Sequence, residues 1–147
     1  MTPPAPPPLR IARRYSYVLP FRSLLIGEPP RPYTPVWLEY AGQRIFTNGL
    51  IDSGADGALF NAAYASYLGI DVEAGAHARA HGVGSGAIDV WRHELFLIVL
   101  GKRFAASVDF AHDWGPEFGL LGMRDLFHHF AIAFEERDQQ VLLQPLA

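Results

Sequence analysis

The chain has 147 residues, half of them hydrophobic and 18% charged, with a net charge of −3 at neutral pH. This is the composition of one globular domain that buries its own core, and the slightly acidic balance gives no reason to expect a nucleic-acid partner. Cysteine is absent, which excludes disulfides, thiolate zinc sites and cysteine nucleophiles.

The chain opens on Met1-Thr2-Pro3-Pro4-Ala5-Pro6-Pro7-Pro8. It lacks the basic region followed by an apolar region that a secretory signal needs, and its prolines oppose the amphipathic helix of a transit peptide. Residues 1–14 read as a flexible, basic, polyproline-II-like arm, and residues 15–147 as the folded domain. The longest apolar run, Leu95 to Leu100, is far shorter than the ~20 residues of a bilayer span, so no membrane span is expected. From these absences the expected location is cytoplasmic.

Val36, Leu38 and Tyr40 alternate with Trp37 and Glu39, as in a strand with two distinct faces, and Gly42 turns the chain into Arg44-Ile45-Phe46. Leu50-Ile51 then runs straight into Asp52-Ser53-Gly54-Ala55. A strand ends there, a carboxylate projects from its tip, and Gly54 lets the backbone turn where a side chain would obstruct. Asn61 to Leu68 reads as a short helix with Asn61 as N-cap and Gly69 as C-terminal cap. His81 to Ala87 holds three glycines in alternation, the composition of a mobile hairpin tip.

Glu94 to Leu100 is almost continuously apolar and predicts a strand buried on both faces. After a turn at Gly101-Lys102, Phe104, Ala106, Val108 and Phe110 alternate again. Gly119-Leu120-Leu121-Gly122 leads into a helix-like segment, Met123 to Phe127. An alternating strand, Phe130 to Phe134, is separated by the acidic turn Glu135-Glu136-Arg137-Asp138 from Val141-Leu142-Leu143. Many short strands with two brief helices predict a mainly β, closed barrel-like domain.

Asp, Ser and Gly are also ordinary surface-turn residues, so one Asp-Ser-Gly says little alone. Three spaced elements say more: Leu50 to Ala55, the glycine cluster Gly82-Val83-Gly84-Ser85-Gly86, and Leu120-Leu121-Gly122 before the last helix. With them, residues 34 to 145 resemble the retropepsin-like aspartic peptidases, bacterial members in particular. The resemblance implies an acid-protease fold with a flap hairpin and two short helices. It implies Asp52 as the catalytic residue, with Ser53, Gly54, Ala55 and Gly122 supporting its loop. Gly54, Asp56, Val83, Gly84, Ser85 and Gly86 would contact an extended peptide or protein substrate, and Arg124 is a candidate partner for Asp56. Only one such motif occurs in the chain, whereas the chemistry needs two facing carboxylates, so activity implies a homodimer with the site on its two-fold axis. Val141 to Leu146 is a plausible contribution to the dimer sheet, with Pro145 confining its own part to an edge. No cofactor or metal is required.

Competing motifs fail on spacing. The run Asp52 to Gly57 superficially matches a calcium loop, but Gly54 and Ala63 stand where ligands are needed. Ser85 lacks the glycines of a nucleophile elbow, and the six histidines form no metal-binding spacing. His128 and His129 flank the last helix, one inward and one solvated. Trp37, Trp91 and Trp114 are assigned to core or interface packing rather than to a substrate subsite. The alternative to an enzyme is the same fold as a catalytically silent dimerisation or peptide-binding module; the intact Asp-Ser-Gly favours the enzyme.

Overall fold

The computed structural model describes residues 1–8, 12–82, 84 and 86–147. In chain order the elements are β1 (Tyr17–Pro20), β2 (Tyr33–Tyr40), β3 (Gln43–Ile51), β4 (Ala58–Asn61), helix α1 (Ala62–Tyr67) and a 3-10 turn at Val72–Ala74. There follow β5 (Ala76–His81), β6 (Ala87–Val99), β7 (Lys102–Ala111), β8 (Gly119–Leu121), a π-helical turn at Met123–Phe127, β9 (Phe130–Glu135) and β10 (Gln140–Pro145). No helix among the described residues is long and apolar enough to cross a membrane.

Six strands close into a barrel in the order β2, β3, β8, β4, β7, β6, with β6 returning to β2 through Trp37↔Ile98, Leu38↔Leu97 and Glu39↔Phe96. Period-2 patterning explains the wall: Val36 and Leu38 of β2, and Val108 and Phe110 of β7, are fully buried. β6 departs from the expected doubly buried strand. Leu95, Leu97 and Val99 fill the core, whereas Phe96 and Ile98 are only half-buried on the outside, because a barrel wall has a single interior. The Arg103 guanidinium lies 3.5 Å over the Phe96 ring and covers part of that outer face.

β6 is also longer than expected. Its first half leaves the barrel to pair with β5 from Ala76↔Arg92 to His81↔Ala87, forming the projecting hairpin. Helix α1 follows its predicted caps: the Asn61 side chain accepts from the Ala63 N–H at 2.8 Å, and Gly69 beyond its end has φ +79°.

A second sheet has β10 between β1 and β9, with Leu143 facing Tyr17 on one side and Ile132 on the other. Val141 and Leu143 are fully buried under this sheet. Pro145 falls past the last residue of β10 that β1 reaches, so its missing N–H breaks no ladder on that side. His129 stacks on Phe104 with centroids 4.2 Å apart, and burial pushes its pKa below the ordinary histidine range; His128 is exposed.

Candidate active site

Strand β8 lies between β3 and β4, parallel to the first through Ile51↔Leu121 and antiparallel to the second at Leu59↔Leu120. The segment 52–57 therefore has to leave β3 and return to β4 around the end of β8. Three backbone hydrogen bonds tie it there: Asp52 N–H to the Leu121 carbonyl at 3.0 Å, Met123 N–H to Ala55 at 2.9 Å, and Arg124 N–H to Asp56 at 2.8 Å. Asp52 Oδ1 accepts from the Gly54 N–H at 2.8 Å, a local turn that fixes the carboxylate's orientation. Asp52 is partly exposed, while Ser53 and Gly54 are open to solvent.

Gly122 is required by space. A Cβ there would stand 2.5 Å from the Ala55 carbonyl oxygen and 2.7 Å from the Gly57 nitrogen, both backbone atoms. The π-helical turn that follows places Asp125 and Leu126 side by side facing inward. Asp125 is 2% exposed, and its Oδ2 accepts from the Ala58 N–H at 2.6 Å, holding the far end of the loop. Burial raises its pKa, opposed by the hydrogen bond from Ala58, the charge of Arg124 and the backbone of Ser107.

Asp52 opens onto a cleft of about 550 Å³ bounded by Gly54 to Gly57 below and by Ala78 to Gly82 of the hairpin above. Arg92 and Asp109 form a two-pronged ion pair in its wall, at 2.9 and 3.2 Å. An adjoining pocket of about 470 Å³ is apolar, with Leu59, Ile88, Trp114, Pro116 and Leu120 in its lining. Both cavities share Leu59, Leu120 and the end of β5, so a ligand reaching one passes beside the other.

The sequence-predicted site residues are distributed as follows. Asp52, Gly54, Ala55 and Asp56 line the charged cleft; Gly86 lines the apolar pocket; Gly84 is exposed at the hairpin tip with φ +106°, where a side chain is strained. Val83 and Ser85 lie outside the described residues. Arg124 meets Asp56 through the backbone only; its guanidinium donates instead to the Ser107 carbonyl at 3.1 Å. Trp114 packs edge-on against Phe118, with its Nε1–H anchored on the Phe118 carbonyl at 2.7 Å, and also lines the apolar pocket. Asp125 and the Arg92–Asp109 pair were not expected from sequence. A lone acid inside an otherwise apolar inward face was the available signal for Asp125; nothing in the sequence pairs Arg92 with Asp109. Among the described residues, no three His, Asp or Glu side chains stand close enough to hold a metal ion.

No family model matches the chain, and no curated protein matches it. Solved structures do. A retropepsin-like aspartic protease from Rickettsia conorii aligns with a TM-score of 0.57 at 20% identity, over 76% of this chain and 88% of that one. EIAV protease in complex with the inhibitor HBY-793 aligns at 21% identity, over 67% of this chain and 88% of that one, with a TM-score of 0.45. The closed barrel with its two short helices thus has a known architecture, and the chain has the retropepsin-like fold.

Proposed function

We propose that this protein is an aspartic endopeptidase that hydrolyses extended peptides with a water held between Asp52 and Asp52 of an identical subunit. The observation that carries the reading is the placement of Asp52 on the floor of a cleft roofed by a hairpin, with its loop tied down on both sides by backbone hydrogen bonds. Two carboxylates about 3 Å apart cannot both ionise cheaply, so the pair keeps one proton. The ionised member takes a proton from the water as its oxygen attacks the scissile carbonyl; the protonated member donates to the carbonyl oxygen as charge develops there. Collapse of the tetrahedral intermediate breaks the C–N bond, and the leaving nitrogen takes a proton from the pair.

Several features support the dimer. The Ser53 hydroxyl is exposed and has no hydrogen-bond partner among the described residues of its own chain, which suits a bond across a two-fold axis. Beside the loop, Met123 is 50% exposed, and in the small sheet Val18 is 53% exposed opposite Leu142. The outer strands β1 and β9 of that sheet pair only with β10 among the described residues, leaving edges that another strand completes. In this assembly Gly54, Asp56, Gly84 and Gly86 surround the peptide, and Ala55 and Gly122 hold the loop.

Cleavage profiling of a peptide library by mass spectrometry, from about pH 4 to 7, tests the reading against Asp52→Asn, which keeps the shape and removes the shared charge and proton. The expected result is cleavage by the wild type alone, with a bell-shaped dependence on the acid side of neutrality. Equal cleavage by both forms, or by neither while both are folded dimers, would overturn it; the second outcome would leave a peptide-binding module.

A further inference from the structure

The position of Arg124 is not used by the hydrolytic chemistry. Its guanidinium lies against Gly57, where a Cβ would stand 2.1 Å from Nη2. Gly57 does not occupy the left-handed region, so its backbone does not demand glycine, and the guanidinium, the end of a flexible side chain, rests in the space a Cβ would take. The head group thus fills the place of a missing side chain at the edge of the cleft, one residue beyond Asp56.

Among the described residues the guanidinium has a backbone carbonyl, and no carboxylate, as its partner. Three arginines (Arg79, Arg92, Arg124) and three aspartates (Asp52, Asp56, Asp109) line the cleft. Arg92 and Asp109 neutralise each other. In the proposed reaction Asp52 is committed to the water. Around the remaining Arg79 and Arg124 the acids are Asp56 at the cleft and the buried Asp125, on which the charge of Arg124 also acts. Among the described residues no carboxylate lies within ion-pair distance of Arg79 or Arg124, which donate only to backbone carbonyls, of Ala87 at 3.5 Å and Ser107 at 3.1 Å. A cleft of about 550 Å³ is roughly 8 Å across, the length of two to three extended residues.

We infer that Arg124 is a specificity-determining residue that receives a carboxylate of the substrate, an Asp or Glu side chain within three residues of the scissile bond, while an apolar neighbour enters the pocket beside Trp114. The assignment rests on the endopeptidase reading. A planar guanidinium gives a carboxylate two parallel hydrogen bonds, which a glutamine cannot match in charge and a lysine opposes.

The test uses synthetic decapeptides with a central Phe-Leu pair and Glu, Gln or Lys placed in turn at each of three positions on either side. Each is made with a free and with an amidated C-terminus. Cleavage is measured with the wild type and Arg124→Met, and binding with the same pair carrying Asp52→Asn. The expected result is a preference for Glu over Gln of about tenfold in kcat/KM at one or more positions, unaffected by amidation and reduced to near unity in Arg124→Met. Arg124→Glu should reverse the preference toward Lys. Cleavage without a Glu preference, a preference that survives Arg124→Met, or one that follows only the free C-terminus would overturn the inference and leave the peptidase reading intact. Without any cleavage the peptidase reading falls and the binding arm decides: Glu peptides held about tenfold tighter, and only with Arg124 present, support the carboxylate site, whereas equal binding removes it.

Discussion

Asp125 shows how one buried residue controls a loop it does not belong to. Its carboxylate accepts from Ala58 N–H, so removing it leaves that buried donor without a partner. Asp125→Ala should therefore cost about 1–3 kcal/mol in urea unfolding, and Asp125→Asn, which retains an acceptor, should cost less. The two also differ from the wild type in pH dependence. Because burial raises the folded-state pKa above the ordinary 3.8, the native state holds this proton more tightly than the unfolded chain. Its favourable contribution is fully present below the ordinary value and is lost as pH rises through the raised one. The stability of the wild type relative to Asp125→Asn should accordingly fall over that window and then level off, and a difference that rises with pH would contradict the assignment. At Gly122 the constraint is steric: Gly122→Ala drives a Cβ into the backbone of Ala55 and Gly57, and should destabilise by about 1–3 kcal/mol while depressing activity.

At the scale of elements, the hairpin of β5 and β6 is the part whose disturbance should separate activity from stability. Gly84 sits at its exposed tip with φ +106°. Gly84→Val should lower kcat/KM by about tenfold or more, the equivalent of roughly 1.4 kcal/mol of transition-state contact. Because the tip is outside the core, its unfolding free energy should fall by less than about 2 kcal/mol; a large loss of stability with unchanged kcat/KM would contradict the role of a lid. Which elements were legible in the sequence follows from their length and patterning. β2, β7 and β9 carry enough alternation to be read directly, and α1 is bracketed by Asn61 and Gly69. β1, β4 and β8 have only three or four residues, too few for a period, and β8 was visible only as part of a motif. The first half of β6 sets Asp89 and His93 on one face and Arg92 beside Val90 on the other, so polar residues interrupt both faces and hid its strand character. The turn that carries Asp52 was legible because its chemistry is local. The Arg92–Asp109 pair and the pocket beside Trp114 were not, because each depends on strands that meet only in the closed barrel.

At the scale of the whole molecule, in the proposed dimer each barrel would supply one carboxylate of the pair, and the open edges of the small sheet of β1, β10 and β9 would be available to the second copy. Activity should then rise more steeply than linearly with protein concentration where subunits are dissociating, and sedimentation should show the dimer over the same range. The central claim, that two Asp52 carboxylates share one water, is tested most directly by co-refolding equal amounts of wild type and Asp52→Asn and measuring cleavage per total protein. Random pairing leaves about a quarter of the dimers with two aspartates, so activity should fall to about a quarter of the wild-type value. A fall to only about half, in proportion to the wild-type subunits present, would mean that each chain acts alone and would contradict the shared site.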